Sequence, residues 1–329
     1  MKSLLIYSAL IVGMVVTPSL SAAEIDNAPI WSTPGRTDIR WQEPSKDEYL
    51  SLEGSARQYY ITEIDDKYNA PDWFPDQHTP MPAIVRYGKG KKVWACASCH
   101  LASGMGHPES ARLAGLSSEY MQAQMRGFAS GDRKDYSAHM NRMAPLMTSQ
   151  EIKEVSDWFA QLKPVSWYRV IETDQVPETV IDKTRMRIKV EHADMPGNVA
   201  SFEPINGRIV EIPTDIHRVK LRSPFDGFIA YVESGSIEYG KKLTYSGNGG
   251  SAPCVTCHGA DLRGTAIAPN IAGLSPMYVV RQLYGFRNGK RKGSDSDMGQ
   301  MMSFMVQSLG EREIYSVAAY IATLSPNDK

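Results

Sequence analysis

Apolar residues spaced by three and four recur at Ile152, Val155, Phe159 and Leu162, and again at Ile314, Val317, Ile321 and Leu324. That spacing predicts two helices, each burying one stripe. Thr148 and Glu151 stand at capping-box spacing ahead of the first. A further helix in each half is expected to open at Ser117 or Ser275, with Pro276 suited to the first turn and Gly131 or Gly289 able to end it. Between the halves the period falls to two: "RMRIKVE" sets Met186, Ile188 and Val190 on one side, while "GRIVEI" and "GFIAYV" are short apolar runs after glycine. These predict strands. Ahead of both halves, "NAPDWFPDQHTPMP" is proline-rich and holds Trp73 and Phe74, which predicts a segment draped over a domain rather than folded alone.

The two helical halves are copies. Laying residue n on residue n+158 aligns "CASCH" with "CVTCH" and "RLAGLSSEYMQAQMRGFASGDRK" with "NIAGLSPMYVVRQLYGFRNGKRK". Shared positions include Ala114, Gly115, Leu116, Tyr120, Gln124, Gly127, Phe128, Gly131 and Arg133. Beyond residue 134 the offset becomes 162, aligning "TSQEIKEVSDWFAQL" with "GEREIYSVAAYIATL". Each unit therefore reads as a cysteine motif, a loop, a helix, a loop and a helix.

Lys2, the apolar run from Leu4 to Val16, and the small residues Ser21 and Ala23 read as a signal peptide cleaved after Ala23. The run is shorter than the roughly 20 apolar residues a spanning helix needs. An exported chain without an integral membrane segment is expected, and the location is the periplasm. After cleavage 35 basic residues face 37 acidic ones. So even a balance argues against nucleic acid as partner.

An exported protein ordinarily oxidises its cysteines to disulfides, but all four here belong to the two motifs, Cys96, Cys99, His100 and Cys254, Cys257, His258. Two CxxC pairs could in principle bind zinc, yet that leaves both histidines unexplained. A redox dithiol needs no following histidine and calls for a βαβ setting. Covalent haem accounts for every member of the triplet: two thiols add to two vinyl groups and the adjacent histidine ligates iron. Two covalently attached haem c groups are the expected cofactors.

The sixth ligand separates a carrier from an enzyme, because a thioether closes the iron. Each unit holds a methionine cluster between its helices, "HMNRMAPLM" and "DMGQMMSFM". Counting back twelve residues from Ile152 and Ile314 selects Met140 and Met302; counting forward from the cysteine motif would instead select Met298. His107 and His139 are alternative ligands, expected rather to be solvated. Basic clusters at Lys89, Lys91 and Lys92 and at Lys290, Arg291 and Lys292 could guide docking but read first as solvated faces.

These residues resemble the tandem dihaem class I cytochromes c, the "c-four" type of exported electron carrier. The likeness covers 93–163 and 236–325, through the CxxCH, "LAGL...Y...Q...F..G.R", the loop methionine and the final aromatic-bearing helix. It implies a mainly α fold, two class I cytochrome c domains, here joined by a small β-rich insert. The expected division is signal 1–23, N-terminal extension 24–85, first cytochrome domain 86–165, insert 166–235 and second domain 236–329. In that family a proline before the "AG" dipeptide accepts a hydrogen bond from the ligand histidine; Pro269 holds that place, and Ala111 stands there in the first unit. Relatives join their domains by a short linker, so the insert and the extension both count against direct haem-to-haem contact.

The expected function is single-electron transfer between redox proteins, from a periplasmic dehydrogenase toward a terminal oxidase or another cytochrome of the respiratory chain, with no catalytic side chain. The alternatives are a dihaem oxidoreductase, such as a peroxidase or a thiosulfate dehydrogenase, and the haem subunit of a larger dehydrogenase complex. Paired methionines argue against the peroxidase. The thiosulfate dehydrogenases of similar architecture use a further cysteine ligand, and all four cysteines here are committed.

Overall fold

A computed structural model describes residues 28–35, 37, 44–190, 201–292 and 297–327. The expected signal peptide lies outside the described residues, as does the side chain of Met298. In the N-terminal extension, strands β1 (Tyr49–Ser51) and β2 (Gln58–Tyr60) form an antiparallel pair followed by the single turn α1 (Ile61–Ile64). Unit one contains α2 (Ala83–Tyr87), α3 (Ala97–His100), α4 (Ser118–Ser130), α5 (His139–Met143) and α6 (Ser149–Ala160). Unit two contains α8 (Ser236–Ser246), α9 (Val255–His258), α10 (Pro276–Arg287), α11 (Asp297–Val306) and α12 (Glu311–Thr323). Between them lie β3 (Tyr168–Glu172), β4 (Gln175–Pro177), β5 (Thr179–Ile181), β6 (Arg187–Lys189), β7 (Phe202–Pro204), β8 (Val210–Pro213), helix α7 (Ile216–Lys220) and β9 (Phe228–Val232).

The helix ends follow the local chemistry. Ser117 and Ser275 Oγ accept from the Tyr120 and Tyr278 N–H at 3.2 and 3.0 Å, and Gly131 takes φ +85° where α4 stops. Thr148 and Glu151 close a reciprocal box on α6. Both apolar stripes are buried: Ile152, Val155 and Phe159 with Trp158 in unit one, Ile314, Val317 and Ile321 in unit two. Unit two also has an eleven-residue opening helix, α8, that crosses α12 closely. A Cβ on Gly240 would lie 1.9 Å from the Ser316 carbonyl oxygen, so the crossing requires glycine.

In the intervening stretch β9 runs parallel to β3 and antiparallel to β8. The alternation of "RMRIKVE" is realised, with Met186 and Ile188 buried, whereas β8 is buried at all four positions. Its Glu211 reaches into unit two, where the carboxylate accepts from Ser275 Oγ and the Met277 N–H at 2.9 and 2.7 Å, capping α10. Burial pushes that carboxyl up to about 7.

The proline-rich segment lies against unit one and the intervening stretch, where Trp158 Nε1 donates to the Thr79 carbonyl at 3.1 Å and Trp73 Nε1 to the Leu221 carbonyl at 2.6 Å, and Trp73 joins Leu52, Ile61 and Ile64 in a small core of the extension. The two units also touch directly. Around the hairpin-like pairing of Arg133 with Arg291, Arg133 donates to Gln124, Tyr278 and Gln282, and Arg291 to Gln282, Tyr120 and Gln124. The same three side chains from each unit thus meet across a pseudo-twofold contact. Arg291 is therefore buried, not part of a solvated basic face.

Candidate functional site

Both cysteine motifs form one helical turn, and in unit one Cys96, Cys99 and His100 line one cavity. The chain then folds back identically twice. Gly106 N–H donates to the His100 carbonyl at 3.0 Å, as Gly264 N–H does to that of His258 at 2.9 Å. Positive φ values at Leu101, Gly104 and Gly106, matched at Gly259, Leu262 and Gly264, make this turn. It delivers a carbonyl to each imidazole: Ala111 O lies 2.8 Å from His100 Nδ1 and Pro269 O lies 2.9 Å from His258 Nδ1. A carbonyl partner fixes the Nδ1–H tautomer, leaving the Nε2 lone pair for a metal. Burial holds both imidazoles below the usual histidine range, so they are neutral, as a ligand must be.

In unit one a cavity of about 800 Å³ is lined by Cys96, Cys99, His100 and Met140 and by apolar groups such as Phe128 and Phe159. That volume and lining suit a porphyrin. Residues from outside the repeat complete the wall, among them Met186, Val219 and Arg222. None of the four cysteines is disulfide-bonded. Burial pushes the Cys96 thiol up to about 12 and that of Cys254 up to about 11. A redox dithiol wants the opposite shift. Among the described residues no group of three or more His, Cys, Asp or Glu side chains could hold a metal ion, so the two pairs do not assemble a four-thiolate zinc site.

The methionine clusters contain a register mark that sequence counting did not supply. Met143 Sδ accepts from the Trp94 N–H at 3.3 Å, and Met305 Sδ accepts from the Ala252 N–H at 3.4 Å. Trp94 and Ala252 each lie two residues before the first cysteine of their motif. Met143 and Met305 are thus equivalent and already engaged, which makes Met140 equivalent to Met302. Met140 lines the cavity, and Met302 is half-buried against the core of unit two.

His139 opens α5 with its ring 4.6 Å from that of Trp94. His107 is not solvated: it sits in the cavity wall near Phe228, and burial pushes it down to about 3. Of the basic clusters, Lys89 pairs with Glu151 at 2.8 Å while Lys91, Lys92, Lys290 and Lys292 are exposed. Sequence reasoning also missed Arg222, which donates to the Ser98 and Ile64 carbonyls, and Arg281, which donates to Ser32 and Pro108 carbonyls. Neither carries a repeat signal, because their partners are distant in the chain.

The family described as cytochrome c matches residues 87–163 and 237–325, just over half of the chain. The thiosulfate dehydrogenase electron acceptor of Thiomonas intermedia is 24% identical over 237 residues, 70% of this chain and 80% of that protein. Cytochrome c4 of Azotobacter vinelandii is 29% identical over 87 residues, 25% of this chain and 40% of that protein. Among solved structures, a thiosulfate dehydrogenase from Marichromatium purpuratum aligns with a TM-score of 0.47 and 24% identity, covering 72% of this chain and 38% of that one.

Proposed function

The chain belongs to the cytochrome c family and carries covalently bound haem c at Cys96 and Cys99 and at Cys254 and Cys257; from this we propose that it is an exported carrier taking single electrons from a periplasmic dehydrogenase toward the respiratory chain. The donor class draws on the likeness to the thiosulfate dehydrogenase electron acceptor of Thiomonas intermedia. Export draws on the signal-like N-terminus. Among the described residues no helix is long and apolar enough to cross a membrane.

One observation carries the reading: the same pairing of the CxxCH histidine with a loop carbonyl is built twice. Bound haem supplies a one-electron iron couple. His100 and His258 present Nε2 because Ala111 O and Pro269 O hold Nδ1. Met140 and Met302 are the sixth ligands in this reading, supported by the equivalence of Met143 with Met305. A thioether on each iron would leave no open position for a substrate, and the apolar lining of the unit-one cavity would keep water from it. No side chain is asked to move a proton.

The test is reactivity of the fully and half-reduced holo-protein in stopped flow. Rapid oxidation by a small redox protein, without carbon monoxide binding and without peroxide or thiosulfate turnover, is expected. Fast carbon monoxide binding or steady peroxide consumption in the half-reduced state would overturn the carrier reading in favour of a dihaem peroxidase.

A further inference from the structure

The two cysteine loops, alike in sequence, differ in what covers them. Ser98, between Cys96 and Cys99, is 3% exposed, and Ala95 and Ala97 are each 1% exposed. Their counterparts Pro253 and Val255 are half-buried and Thr256 is exposed. Chain from outside the repeat makes the difference. Arg222, two residues past α7, donates to the Ser98 carbonyl and, at 2.8 Å, to the Ile64 carbonyl; the Ala95 N–H donates to the Lys67 carbonyl at 2.8 Å. The extension and the stretch before β9 therefore close over the first loop together. Glu109, the counterpart of Ile267 at the repeat offset, is half-buried and lines the cavity of unit one.

The second loop faces outward instead. Thr265 Oγ1 donates to the Cys257 carbonyl at 2.7 Å and receives the Ile267 N–H at 3.3 Å, while Tyr245 Oη donates to the Ala260 carbonyl at 3.0 Å. These bonds set Ile267, 56% exposed, and Tyr245, 43% exposed, around the cysteine turn. Lys241 and Lys242, both exposed, lie one helical turn before Tyr245. The result is an apolar patch bordered by Lys241 and Lys242, with the one exposed carboxylate of the loop, Asp261, paired to Arg263 at 3.3 Å.

We propose that unit two exchanges electrons with protein partners through this patch, that unit one exchanges only by way of unit two, and that the partner is a redox protein presenting an apolar face bordered by carboxylates. This rests on the carrier reading. Outer-sphere exchange falls steeply with distance, so a loop covered by packed chain is a poor port and an exposed one a good port. Apolar contact at the centre gives close approach, and the lysine border steers an acidic partner into place. The Arg133–Arg291 contact joins the two units directly.

The test mixes reduced holo-protein with an oxidised acidic blue-copper protein in stopped flow. Ile267→Glu is expected to slow the second-order exchange about tenfold, with both haem spectra unchanged, because it opposes the partner's carboxylates. Leu146→Glu, at a position 40% exposed on unit one, is expected to leave the rate unchanged. Lys241→Glu combined with Lys242→Glu is expected to slow exchange and to flatten its dependence on salt. Equal slowing by Leu146→Glu, or no slowing by Ile267→Glu, overturns the port. A wild type that ignores the acidic protein but reacts fast with a basic cytochrome overturns the partner chemistry. Failure of the carrier reading looks different, since carbon monoxide would then bind the wild type whatever the variants do.

Discussion

His100 and His258 meet equivalent carbonyls at nearly equal distances, yet the units around them begin differently. Unit two opens with α8, eleven residues long, locked against α12 at Gly240. Unit one opens with α2, only five residues, and takes its remaining cover from the extension and from the residues around Arg222. A haem-binding loop can thus be closed by its own helices or by added chain. The choice decides whether its cysteine face stays open to partners.

The most disruptive way to probe this contrast is to remove one attachment at a time. Replacing Cys96 and Cys99 by alanine is expected to remove one haem and leave the other, read as the intact mass after denaturation. Replacing Cys254 and Cys257 is expected to do the converse. A variant that loses both haems would show that the pseudo-twofold contact makes the units fold as one.

A smaller effect is expected at the sixth ligands. Met140→Ala and Met302→Ala should each abolish the sulfur-to-iron absorption of one haem and lower its potential by at least about 59 mV, a tenfold shift of a one-electron equilibrium. Met298→Ala should leave both signals intact. If Met298→Ala removes a signal that Met302→Ala preserves, the equivalence drawn from Met143 and Met305 is wrong.

The mildest probe concerns the caps. Unit one has the full box, Thr148 with Glu151, whereas in unit two Glu313 accepts from the Gly310 N–H at 2.7 Å but glycine returns no side-chain bond. Thr148→Ala should cost about 1 kcal/mol, and Gly310→Ser should gain a few tenths, both read from denaturant midpoints. Gly310 already has φ −73°, and a Cβ there meets nothing nearer than 3.7 Å, so serine fits without strain. No gain from Gly310→Ser would mean that the second cap is satisfied in some other way.

The amino-acid sequence by itself determined what depends on neighbours within a turn or two, or on the repeat. The cysteine–histidine triplets, the Ser117 and Ser275 caps, the stripes of α6 and α12 and the duplication were all legible there, because their physics is local. Tyr120, Gln124 and Arg133 were visible as shared with Tyr278, Gln282 and Arg291, but not as one interface. Arg133 and Tyr278 are 145 residues apart, and no periodicity reports a contact at that range. Only the tertiary structure engaged the sulfurs of Met143 and Met305, set Glu211 on the end of α10, and carried Arg222 across 124 residues to the Ser98 carbonyl. The reason is that a buried guanidinium or carboxylate is placed wherever packing leaves backbone groups to satisfy, and those groups come from parts of the chain that meet only once the core has closed.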